Sequence, residues 1–289
     1  MASLQISQLP LPCEDFSIEI HSTCFEAFLE ASAEDAFRAK RLRKLARCRK
    51  PKHAAQLRAL ADILDPELTQ QTPQTLASSR YMRDLRIRVI GAVWQLAARS
   101  HLALCRYDIA KPSWVLSPKA FRDATPIALK AKLRADLLRA AASIGFDGVP
   151  QISGFLIAFL HGEYTEFDDS RAHLHPHFHC LVSGDWIAVV EAMRAQRGYK
   201  PTAASLTPIR ASRKLDDLPY ALSYLLKSYW PAKWKGTVSG VGTKRRNRDH
   251  RRIPEPHHSE VLLWLHHARP SDLVLKMGLN QARGGFTMS

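Results

Sequence analysis

The sequence predicts an α+β fold, a central sheet covered by helices, on three observations. Two strand-forming runs fall at residues 154–163 and 177–183, helix-period stretches fall at 125–145 and 185–196, and capping or turn residues stand at their joints. The 289 residues suffice for one substantial domain with additions. They divide into a helical, basic N-terminal region (1–110), a core segment (111–230) and a basic C-terminal extension (231–289).

The elements follow in order. Ser113-Trp114-Val115-Leu116-Ser117 reads as a short first strand. Thr125-Pro126 opens a helix with Leu129, Leu133, Leu137 and Ala141 at i+4 spacing, and Gly145 ends it. In the strand 154–163, alternation puts Phe155, Ile157, Phe159, His161 and Glu163 on one face. The run Phe178–Val182 is rich in strand formers, and Ser183-Gly184-Asp185 closes it. Pro176 cannot donate a ladder hydrogen bond, so this strand is expected to start at Pro176 or just after, leaving His173 and His175 on the incoming loop. Trp186, Val189, Val190 and Met193 mark the helix 185–196, and a strand follows near Ala204–Arg210. Asp216 or Asp217 then caps a helix with Pro219 in its first turn. On it Tyr220, Tyr224 and Lys227 fall in one stripe, with Leu222, Leu225 and Leu226 opposite. Glu260–His267 reads as a packed helix whose histidines are structural.

The chemistry concentrates in His173-Leu174-His175-Pro176-His177-Phe178-His179. Residues i and i+2 of a strand share a face, so His177 and His179 form a metal half-site. His161 or Glu163 on the preceding strand completes a two-His-plus-one site. Nitrogen and carboxylate donors without thiolate favour Mg²⁺ or Mn²⁺ over structural zinc.

His175-Pro176-His177-Phe178-His179-Cys180-Leu181-Val182 resembles the His-hydrophobic-His motif of the HUH endonucleases, and Tyr220-Ala221-Leu222-Ser223-Tyr224-Leu225-Leu226-Lys227 resembles their two-tyrosine nucleophile motif. The order, histidines before tyrosines, is similar to rolling-circle replication initiators; conjugative relaxases usually carry the tyrosine first. The resemblance spans about residues 110–230, with two departures: Ser223 stands where some two-tyrosine initiators have Lys, and His161 stands near the position of the family's usual third-ligand Glu unless Glu163 takes that role. The resemblance implies an antiparallel sheet with the catalytic groups on one face. It further implies that Tyr224, helped by Lys227, cleaves single-stranded or cruciform origin DNA to a 5′-phosphotyrosine and a free 3′-hydroxyl, with Tyr220 serving a second cleavage. The expected protein is a plasmid or phage replication initiator. A two-tyrosine transposase would share the motif order, although those often open with a cysteine-rich zinc module that is absent here, and a non-catalytic nucleic-acid binder is the more distant alternative.

Charge agrees with a nucleic-acid partner. The net charge is +15, concentrated in two blocks. Residues 37–58 hold ten Lys/Arg and no acid, Arg43 and Lys44 among them; residues 233–252 hold eight, including Lys244, Arg245, Arg246 and Arg248, against Asp249 alone and beside Trp230 and Trp234. Such clusters neutralise phosphates and stack unpaired bases. The five cysteines form no C-x-x-C pair, and with no secretory signal or apolar run of membrane length the reading is a soluble, cytoplasmic protein. Gly240-Val241-Gly242-Thr243-Lys244 lacks P-loop spacing, so a helicase, like the DNA polymerase, would come from the host.

Overall fold

The computed structural model describes residues 25–99, 102–167, 172–202, 207–212, 215, 222–227, 230–235, 251–282 and 285–288. Helices α1 (Phe28–Ala46), α2 (Pro51–Leu64) and α3 (Ser79–Arg99) come first. Helical structure does not continue to residue 110, because strand β1 (Leu104–Ile109) follows. Cys105, Tyr107 and Ile109 are buried and alternate with half-buried Leu104, Arg106 and Asp108, the period of a strand.

The strand expected at 113–117 is instead a 3₁₀ turn, Pro112–Trp114. Pro112 presets φ for the first position of that turn, and Trp114 is buried edge-on against Phe178 at 5.6 Å. Of the expected strand, Leu116 alone pairs, exchanging two 2.8 Å backbone hydrogen bonds with Leu174. After the short α4 (Pro118–Asp123), α5 (Pro126–Ser143) begins as its sequence dictates: the Thr125 hydroxyl accepts the Ala128 N–H at 3.1 Å, with Pro126 at the first helical position. It buries Leu129, Leu133, Leu137 and Ala141 and is followed by Gly145 at φ +96°. Helices α6 (Trp186–Met193) and α7 (His257–His266) also lie where apolar spacing puts them.

The sheet has seven strands in the order β4–β1–β3–β2–β5–β6, with β7 also on β2. They are β2 (Leu156–Phe167), β3 (Ala172–Ser183), β4 (Ile209–Ser212), β5 (Pro231–Lys235), β6 (Arg251–Arg252) and β7 (Val274–Met277). Every pair is antiparallel except β2–β5. Strand β4 starts later than 204, and residues 203–206 lie outside the described residues. A separate hairpin, β8 (Leu279–Ala282) and β9 (Gly285–Met288), follows. The sheet therefore draws β1 and β5 to β7 from beyond both bounds of the 111–230 segment.

Because β3 begins at Ala172, His173 and His175 lie in the strand and not on an incoming loop. Pro176 is tolerated for a local reason. Leu174 turns both its N–H and its C=O to Leu116, away from β2, so alternation turns the Pro176 nitrogen the same way. Pairing with β1 starts only at Phe178, so no ladder bond is lost at Pro176.

Phe155, Ile157, Phe159, Phe178, Leu181 and Trp186 are fully buried in the main core. A second cluster, with Leu42, Leu57, Leu60 and Leu262, joins α1 and α2 to α7. Asp35, completely buried, accepts from Ser78, Ser79 and Arg80 and so locks α1 to the start of α3. Among the described residues, no helix is long and apolar enough to cross a membrane.

Candidate functional site

Register builds the site. Residues paired across antiparallel strands share a face, and here His161 stands opposite His177, Glu163 opposite His175, Asp108 opposite His179 and Arg210 opposite Asp108. His161, His177 and His179 are buried, and their ligand nitrogens all lie within 4.8 Å of one another, close enough to bind a metal ion. His161 is thus the third member of the cluster. Glu163 stands at its rim, 3.9 Å from His177 Nε2 and partly exposed.

Hydrogen bonds fix which nitrogens carry lone pairs. His177 Nδ1 lies 3.0 Å from the His175 carbonyl, which can only accept, so Nδ1 donates and Nε2 carries the lone pair. His179 Nδ1 donates to Asp108 Oδ1 at 2.6 Å in the same way. Burial would raise the Asp108 carboxyl, but the His179 hydrogen bond, with the charges of His179, Arg106 and His177, outweighs it and holds the group at about 2. His177 is pushed down to about 4, first by burial and then by His179, so its ring is neutral at ordinary pH.

These donors fit a divalent cation. His179 Nε2 is buried with no hydrogen-bond partner among the described residues. His161 Nδ1 and His177 Nε2 are 3.3 Å apart. Two nitrogens held about 2.1 Å from one ion at tetrahedral or octahedral angles are separated by roughly 3.0–3.4 Å.

A cavity of about 370 Å³ opens over this face, lined by Asp108, Glu163, His177 and His179 and also by Tyr224 and Lys227. Tyr224 is 38% exposed, whereas Leu222, Leu225 and Leu226 behind it are buried, as the stripe requires. The helical turn ends earlier than the spacing suggests: Leu222 and Ser223 are helical, Tyr224 and Leu225 form a turn, and Lys227 lies beyond it. Lys227 nonetheless reaches the same ring, with Nζ 5.6 Å from the Tyr224 centroid, and the Arg106 guanidinium also lies 5.6 Å from it. Arg86 Nε donates to the Leu226 carbonyl at 2.6 Å and so ties this turn to α3. Tyr220, with Asp216, Asp217 and Pro219, lies outside the described residues.

The cavity is also lined by the cations Arg106 and Arg210 and by Lys111, whose ammonium is ion-paired with Asp136 at 2.8 Å. With Asp108 these are the residues that sequence reasoning missed; Trp230, expected to stack unpaired bases beside the basic block, is instead buried next to His161. Arg106 and Asp108 carried a signal, the polar–apolar alternation of Cys105-Arg106-Tyr107-Asp108-Ile109. Gly162 signalled Trp230, since glycine inside a strand marks a close approach. A Cβ at Gly162 would sit 2.2 Å from the Trp230 ring, whose centroid is 6.0 Å from that of His161.

The basic candidates divide. Arg43 pairs with Asp62 at 2.9 Å and Asp65 at 2.5 Å, while Lys44 is exposed. Lys244, Arg245, Arg246 and Arg248 lie outside the described residues. His266 is hydrogen-bonded to Thr75 at 3.0 Å and does not line the cavity. Comparison with family models, curated proteins and solved structures finds no match.

Proposed function

We propose that this chain is a metal-dependent DNA strand transferase of the HUH type, a rolling-circle plasmid replication initiator that nicks and rejoins single-stranded or cruciform origin DNA. One observation carries the reading: Tyr224 and Lys227 line the same cavity as His177, His179 and Asp108. A divalent cation held by His161, His177 and His179, Mg²⁺ or Mn²⁺, would polarise a non-bridging oxygen of the scissile phosphate as a Lewis acid. The Tyr224 oxygen attacks phosphorus; the O–P bond to tyrosine forms as the bond to the 3′ oxygen breaks. The phenol gives up its proton, and the departing oxygen ends as a 3′-hydroxyl that a host polymerase can extend. Arg106, Arg210 and Lys227 set positive charge around the phosphate. The phosphotyrosine ester conserves the energy of the broken bond, so rejoining needs no ATP, and unwinding falls to a host helicase. Tyr220 takes the second cleavage.

The test is a denaturant-resistant protein–DNA adduct on an origin strand. Tyr224→Phe should abolish it, and Tyr220→Phe should leave it while impairing the second transfer. Adduct that persists in the double variant overturns the reading.

A further inference from the structure

The cavity accounts for one DNA strand, yet the largest concentration of cations among the described residues lies elsewhere. In the block 37–58 three arginines are neutralised internally: Arg38 by Glu34, Arg41 by Glu255 and Arg43 by Asp62 and Asp65. Lys40, Lys44, Arg47, Arg49, Lys50 and Lys52 are all exposed, and none forms an ion pair among the described residues. Lys40, Lys44 and Arg47 fall at i, i+4 and i+7 along the last two turns of α1 and its C-cap, within one stripe. Arg49, Lys50 and Lys52 extend the charge through the turn into α2. Like charges this dense repel and do not help the fold. No residue of α1 or α2 lines the catalytic cavity.

We infer that this ridge binds the phosphates of double-stranded DNA, and so holds the duplex beside the strand that enters the cavity. Charge makes the partner a polyanion; a basic segment with no aromatic side chain of its own to stack on makes it a duplex. Residues 38–58 contain no Phe, Tyr or Trp. The nearest aromatic, Phe37, has the guanidinium of Arg252 3.9 Å from its ring centroid and that of Arg41 5.5 Å away. Proteins that hold unpaired strands stack bases on aromatic side chains, whereas backbone-only contact by a row of cations suits paired DNA whose bases face inward. The contact is therefore independent of sequence, and positions the DNA without reading it. The inference deepens the proposed function by giving it a second DNA surface.

The experiment measures the affinity of the full chain for a short duplex of arbitrary sequence and for one of its strands alone, across a salt series. In Lys40→Gln/Arg47→Gln/Lys52→Gln, duplex affinity should fall on the order of tenfold or more, and the slope of log K against log[salt] should lose about 0.9 for each phosphate contact removed. Single-strand affinity should fall by a smaller factor. The charge-preserving Lys40→Arg/Arg47→Lys/Lys52→Arg should bind duplex as the parent does, which separates charge from folding. Undiminished duplex binding in the glutamine variant, or equal loss for duplex and single strand, overturns the inference. Because these measurements need no cleavage, failure of the nuclease reading would register in the adduct assay alone.

Discussion

Asp108 accepts the Nδ1 proton of His179 at 2.6 Å, and that bond leaves the opposite nitrogen of the ring, Nε2, buried, bare and facing His161 and His177. Held at about 2, the Asp108 carboxyl is ionised at ordinary pH and can only accept, which fixes both the tautomer and the ring plane. Asp108→Asn should weaken divalent-cation affinity by about 10- to 100-fold in calorimetric titration, with the fold retained. Unaltered affinity would mean that packing alone orients the imidazole.

The cluster is all nitrogen, with Glu163 at its edge. Imidazole suits Mn²⁺ better than the oxygen-seeking Mg²⁺. Trp230 emission, with its ring 6.0 Å from His161, should therefore be quenched by Mn²⁺, and a large excess of Mg²⁺ should be needed to reverse it. If Mg²⁺ competes at equal concentration, Glu163 has taken a ligand position.

The metal-free protein should lose stability as pH falls from about 6.5 to about 4. His177 titrates at 6.5 when unperturbed and at about 4 in the fold, so over that window the unfolded chain takes up a proton that the folded chain refuses. The contribution is complete above 6.5, decays as pH drops and amounts to on the order of 3 kcal/mol. Asp108 and Glu255, lowered from 3.8 and 4.5 to about 2, withdraw their stabilisation from those ordinary values downward and so add to the decline only at the acid end of the window. Denaturation curves at several pH values should show a shallower decline between 6.5 and 4 for His177→Gln; an identical decline would assign it to other groups.

Gly162→Ala should destabilise the fold by about 1–3 kcal/mol, because the added methyl falls 2.2 Å from Trp230, which is itself wedged against Phe121 and Trp264. Denaturant midpoint and Trp230 emission should move together. A variant as stable as the parent would show that Trp230 can move aside.

What the sequence disclosed was what local rules govern. Thr125-Pro126 started a helix, and His177 and His179 came out side by side because period two needs no partner strand. The choice between His161 and Glu163 was different, since both lie on the correct face of β2 and only the register with β3, which sets His161 against His177, separates them. Asp108 was hidden for a related reason: its bond to His179 spans 71 positions, and nothing near it in the chain hints at a histidine. Pro176 misled because its rule concerns paired edges, and that edge is unpaired at its position. Lys227 sits past the end of the helical turn, a boundary that periodicity cannot see.

Strand β7 pairs with Leu156–Phe159 of β2, and the Leu273 carbonyl receives the Leu160 N–H at 2.7 Å, next to His161. During synthesis, the ribosome releases residues 274–277 long after the histidines and Tyr224 have emerged. A nascent or prematurely terminated polypeptide would thus own all three histidines while leaving the outer edge of Leu156–Phe159, just before His161, without its partner strand. The strand that carries His161 would therefore gain its last neighbour late in translation.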